Sequence, residues 1–168
     1  MESKARAFGH SIHPMLITFP LGLLGMAVIF DIIYLITGTL GWTTVSFWMI
    51  AAGVISGLIA AVPGLIDWVA IVPPNTRAWY VGLYHGVGNV IIVLLFAVSW
   101  FLRRQPGSGF AMAGKPDTIA LICSFVGLGL ALITGWLGGE LIERLGIAVH
   151  EGANPDAPSS LSTGPPAK

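Results

Sequence analysis

Charge is the scarcest property of this chain. Only 10% of its 168 residues are Asp, Glu, Lys or Arg, against about 25% in an average soluble domain. Eight Lys and Arg balance eight Asp and Glu, so there is no basic surplus, and this argues against a nucleic-acid partner. Cysteine is reduced to a single residue, Cys123, which removes an intrachain disulfide and a multi-cysteine zinc site. No well-placed nucleophile stands beside a histidine, which disfavours hydrolase chemistry. What the chain does have is apolar surface: 55% hydrophobic residues and a mean hydropathy of +0.83. A soluble domain of this size has too large a surface-to-volume ratio to hide that much of it. The composition therefore specifies a small integral membrane protein whose first partner is the lipid bilayer, and neither a cytosolic enzyme nor a disordered chain.

Four apolar runs, 16–38, 45–66, 81–102 and 118–139, each reach the roughly 20 residues that a bilayer crossing takes. Continuous runs of this length argue against a β-barrel, whose strands are short and alternating. The expected fold is all-α, a polytopic membrane protein built as an antiparallel four-helix transmembrane bundle. Gly38 and Gly41 mark the first connection, Pro73 and Pro74 the second, and the glycine-rich stretch through Gly107, Gly109 and Gly114 the third. Asp117 is a natural N-cap for the last helix. Residues 1–151 form the four-span domain. Residues 152–168 turn to Pro, Ser, Gly and Ala and are expected to be a disordered tail. Lys4 and Arg6 resemble a charged leader, but the run behind them is too long for one, so a retained first helix is expected. With four spans the termini share a side. Lys4, Arg6, Arg77 and Arg144 lie there, against Arg103, Arg104 and Lys115 opposite, which slightly favours cytoplasmic termini.

Membrane helices associate through small residues and polar contacts, because lipid is as apolar as leucine. Gly53, Gly57, Ala60, Gly64 and Asp67 follow helical spacing in the second span and share one face. Gly82, Gly86 and Asn89 do the same in the third, and Gly127, Ala131 and Gly135 in the fourth. Pro20 and Pro63 fall in or near spans, where each removes a helical hydrogen bond.

The polar groups gather at one end. His10 and His13 precede the first span, Asp67 ends the second, His85 and Asn89 lie a turn or two into the third, and Glu140, Glu143 and His150 follow the fourth. An ionisable group inside the bilayer faces a partner or a cavity. Two readings are open: a structural hydrogen bond in which Asp67 orients and satisfies His85, or a ligand site built from His13, Asp67 and His85, with Asn89 and Glu140 in the same polar cluster. His13 and His85 are the candidate cofactor ligands, for haem or a metal. His10 and His150 are expected at the interface without a ligand. Asp31 lies about 27 Å from His13 along a straight helix; it belongs to the other end, where Arg103 or Arg104 could pair with it.

The stretch His13-Pro14-Met15-Leu16-Ile17-Thr18-Phe19-Pro20 fits an HPxxxxFP pattern and Gly64-Leu65-Ile66-Asp67-Trp68 fits GxxDW. His85 with Asn89 follows, and Gly138-Gly139 closes the fourth span. In this order, over about residues 10–150, they resemble a bacterial family of small four-helix membrane proteins, domain of unknown function 2231. The resemblance implies the four-span fold and a bacterial plasma-membrane location. It also implies an association with iron–sulfur domains of the Rieske type, and hence electron transfer. Glu140 stands where that family usually has a histidine or similar polar residue.

Three functions fit the residues. The first is a non-enzymatic membrane subunit that assists or anchors another complex, with glycine seams open to a partner protein or a second copy. The second is a b-type haem or other redox module, serving a redox protein, with His13 and His85 as axial ligands. The third is metal-ion or proton transport by a homo-oligomer, with His, Asp and Glu as ligands or relays.

Overall fold

In the computed structural model, residues 1–104 and 113–161 are described; Gly107, Gly109 and residues 162–168 lie outside the described residues. A two-residue hairpin opens the chain, β1 (Arg6–Ala7) against β2 (His10–Ser11). Five α-helices follow: α1 (Ile12–Leu16), α2 (Thr18–Thr37), α3 (Gly41–Ile71), α4 (Arg77–Leu102) and α5 (Thr118–Gly139), the last running into a π-helical turn over Glu140–Arg144. Four units of this series are long and apolar enough to span a membrane: Ile12–Thr37, Gly41–Ile71, Arg77–Leu102 and Thr118–Arg144. They form the expected all-α bundle. The spans are longer than the apolar runs alone. The second extends to Ile71 and the third starts at Arg77, because polar residues in end turns cost little where the helix leaves the hydrocarbon. The hairpin and the break at Ile17 between α1 and α2 were not legible from hydropathy.

The bundle is a ring in which α2 packs on α3, α3 on α4, α4 on α5, and α5 on α2. Helices α2 and α4 therefore face each other across a diagonal. The core holds Leu24, Ala27, Val28, Ile50, Ile92 and Phe96. Outside it, Ile55, Leu58, Ile59, Val62, Leu65, Ile66 and Val69 are exposed along α3, an apolar face of the kind that lipid covers. The expected glycine seam of α3 is present. A Cβ at Gly53 would collide with Leu24, one at Gly57 would touch Val93 and Pro20, and one at Gly64 would collide with His13. In α4 the expectation is corrected in part. Gly82 receives Trp68, but nothing lies near Gly86, and Gly88 takes the close contact with Thr134 instead. In α5, Gly127 seats Phe96 while Gly135 faces open space. Asp117 sits at the N-cap of α5 with extended backbone but makes no side-chain cap bond.

The N-terminal segment and the residues that follow α5 meet at one end of the bundle. The Met1 ammonium donates to the Gly146 carbonyl at 3.0 Å, and His150 Nε2 lies 3.2 Å from Glu2 Oε1. Residues 152–161 are exposed, with turns but no helix or strand.

Candidate functional site

At the end away from the termini, Arg103 and Asp31 form a bidentate ion pair with both bonds at 2.7 Å and both side chains fully buried. The remaining guanidinium donors are used too, on Ser99 and Ser124 at 3.1 Å and on Ser46 at 3.2 Å. Of the two arginines expected to reach Asp31, Arg103 does so, and Arg104 lies over the rings of Trp100 and Phe101. All five guanidinium N–H donors are committed, and the cluster braces four helices.

The end bearing the termini is different. His13 comes from α1 and His85 from α4, and their rings meet with centroids 6.3 Å apart and planes at 85°. Each ring is held at Nδ1. His13 Nδ1 is 2.8 Å from the Ala60 carbonyl, and His85 Nδ1 is 2.8 Å from the Thr134 carbonyl. A carbonyl can only accept, so both Nδ1 atoms carry a proton, and the Nε2 of each ring is the nitrogen left to a further partner. Two glycines make room for the rings. A Cβ at Gly64 would stand 2.8 Å from His13 Nδ1, and one at Gly138 would stand 3.2 Å from His85 Cε1. Asn89, one turn along α4, donates from Nδ2 to the His85 carbonyl at 2.8 Å and lies 3.2 Å from His85 Nε2.

The expected bond between Asp67 and His85 is absent. Asp67 is buried and on the inward face of α3, but it faces the N-terminal segment. Its Oδ2 accepts from Ser3 Oγ at 2.6 Å, and its Oδ1 accepts from the backbone N–H of Lys4 at 2.8 Å and of Ala5 at 3.2 Å. The sequence reading missed these donors because nothing in composition shows that residues 3–5 fold back over α3. Glu140 does not join the histidines either; it pairs with Arg77 at 2.7 Å, a nearer positive partner at the same membrane face. His10 meets Ser160 and His150 meets Glu2. Among the described residues no group of three or more His, Cys, Asp or Glu is placed to hold a metal ion.

The GxxDW stretch now has a structural meaning. Gly64 seats the His13 ring, Asp67 holds the N-terminal segment, and Trp68 packs on Gly82 while its Nε1 donates to the Trp79 carbonyl at 3.1 Å.

A family model described as predicted membrane protein (DUF2231) matches residues 9–151 of the chain. The chain belongs to that family. Neither the curated proteins nor the solved structures contain a match to it.

Proposed function

We propose that this DUF2231 membrane protein is a non-enzymatic electron-transfer subunit of the bacterial plasma membrane, with His13 and His85 as the axial ligands of a b-type haem. The observation that carries the reading is the geometry of the pair, 6.3 Å between ring centroids. Two imidazoles bound end-on through Nε2 to one metal, with metal–nitrogen bonds of about 2.0–2.1 Å, would set their centroids about 6–6.5 Å apart. The far side of each ring supports it as well. A ligating histidine typically donates its other N–H to a carbonyl or carboxylate, which fixes tautomer and orientation, and both rings do so here.

The number of donors favours haem over a bare ion. A bare zinc ion takes three or four protein ligands, and the described residues offer this pair no third. A porphyrin brings four nitrogens of its own and needs two from the protein. When bound, such a group supplies reversible one-electron transfer. The chain's own residues orient each imidazole through its Nδ1. Asn89 must give up its contact with His85 Nε2 for a metal to take that lone pair, and it keeps its bond to the His85 carbonyl. Transport has less support, because Asp31, Arg103 and Asp67 are each bonded to other protein groups.

The test is the absorption spectrum of the full chain purified in detergent from haem-replete cells. A reduced-minus-oxidised haem band near full occupancy is expected, and His13→Gln or His85→Gln should abolish it while the thermal melt stays cooperative. A colourless, natively folded protein refutes the reading. Metal analysis of the same sample separates haem iron from a bare ion, and absence of both leaves the rings as an aromatic edge contact.

A further inference from the structure

The geometry points to Asp67 as a positioning residue for His13, acting through the N-terminal segment 1–11 as a latch. The inference rests on the two-histidine reading for its functional meaning, while the latch itself does not depend on haem.

Asp67 stands one turn before the end of α3 at Ile71, and it is only 6% exposed. The C-terminal end of a helix carries partial negative charge, so a carboxylate there is disfavoured and a cation preferred. No Lys, Arg or His forms an ion pair with it among the described residues. Its place is explained instead by the three donors that converge on it from Ser3, Lys4 and Ala5. Two of them are backbone N–H groups, which no substitution at Lys4 or Ala5 other than proline would remove.

From that anchor the restraint passes along the backbone to the histidine. The Ala5 carbonyl accepts the Ile12 N–H at 2.9 Å. The hairpin pairs Arg6 with Ser11 and Ala7 with His10, which ties the segment to the residues just before His13. Helix α1 cannot set its own position. It has five residues, no buried side chain, and no side-chain cap from Ser11, and a helix this short is not stable alone. It joins α2 through Ile17, whose N–H bonds the His13 carbonyl at 3.1 Å and whose carbonyl accepts from Leu21 at 3.2 Å. The segment latched by Asp67 therefore adds a restraint on His13 to those from the Ala60 carbonyl at Nδ1, the packing of α1 on α3 and the helical bonds that continue into α2. A second set of contacts, from Met1 to Gly146 and from Glu2 to Arg6 and His150, closes the outer end of the segment.

The experiment follows two readouts on the full chain in detergent. Trypsin cleavage after Lys4 and Arg6 reports release of the segment. Carbethoxylation of His13 by diethylpyrocarbonate, mapped by mass spectrometry and normalised to an added histidine-containing reference peptide, reports exposure of its ring. Asp67→Ala should raise both several-fold. Asp67→Asn, which keeps an acceptor for the backbone N–H groups, should stay near wild type, and Ser3→Ala should move both by a smaller amount in the same direction. Should Asp67→Ala fail to fold, Lys4→Pro removes one donor from the segment side and leaves α3 intact. Cleavage that rises while His13 labelling stays fixed overturns the proposal, as does a segment that stays protected in Asp67→Ala. If the protein is colourless yet His13 labelling follows the latch, the haem reading fails and the positioning role stands.

Discussion

Replacing Arg103 by Met would strip the buried cluster of its only cation. Asp31 would remain fully buried with neither of its 2.7 Å bonds, and Ser46 would lose its guanidinium donor. Ser99 and Ser124 would lose less, since they bond each other at 2.8 Å and the Ala120 carbonyl. Removing one partner of a buried ion pair destabilises by about 3–5 kcal/mol, because the survivor is an uncompensated charge. For a chain of this size each kcal/mol lowers the melting temperature by about 2–4 °C, so a fall of about 6–20 °C is expected. Tryptophan fluorescence during a thermal ramp in detergent measures it. The decisive comparison is the double variant Asp31→Leu with Arg103→Met. It removes both charges and leaves the serines bonded to one another, so it should recover more than half of the loss. A single variant that melts within about 3 °C of wild type, or a double variant no better than the single, refutes the view that the pair braces the bundle.

Gly64→Ala should displace the His13 ring, because its Cβ would stand 2.8 Å from Nδ1 and 2.9 Å from Cε1; a loss of about 1–3 kcal/mol and of any haem band is expected, while Gly25→Ala, where nothing lies within 4 Å, should change neither. Asn89→Ala should leave haem binding intact or tighter, since it removes the amide that lies 3.2 Å from His85 Nε2; a titration showing loss of binding would make Asn89 a supporting group and not a competitor. The hydrogen bond from the Glu151 N–H, with His150 and Arg6 nearby, holds the Glu2 carboxyl below its usual value. Its folded value being depressed, this contribution is present above the unfolded value and fades as pH falls below about 4. Amide hydrogen exchange in residues 1–7, corrected for intrinsic rate, should therefore speed up between pH 6 and pH 3.5, and unchanged protection would count against the contact.

Much of the fold was legible because bilayer thickness and hydropathy act residue by residue. Four spans, the connections at Gly38 and Pro73, and the inward face of α3 follow from that one-dimensional pattern. The pairing of Asp31 with an arginine followed from the same logic, since a buried charge at one membrane depth must find its opposite at that depth. The candidate site was legible only in part. His13 and His85 were expected together and do meet, because both enter from one membrane side. Asp67 was assigned to the wrong partner. Depth and helix face predict that a side chain points inward, but not which of several groups at that depth reaches it first. The competitor was the backbone of residues 3–5, whose donors carry no sequence signature. Glu140 was lost to Arg77 for a related reason: an accessible opposite charge outcompetes a neutral imidazole.

The two ends of the bundle use the same residue types for opposite purposes. At the far end a carboxylate meets a guanidinium with five donors, and serines take up what the carboxylate cannot. All five guanidinium donors are answered within the protein, which ties the four helices together. At the near end, imidazoles replace the guanidinium. Each imidazole satisfies one nitrogen on a backbone carbonyl and turns the other away from it. The carboxylate that could have bonded a ring and closed this cluster as well, Asp67, is drawn off to hold the N-terminal segment. That diversion leaves His13 without an ion pair among the described residues. If Asp67 had bonded either imidazole, its charge would have favoured the protonated ring, which has no lone pair to give. The latch and the availability of the histidines are thus two consequences of one placement on α3.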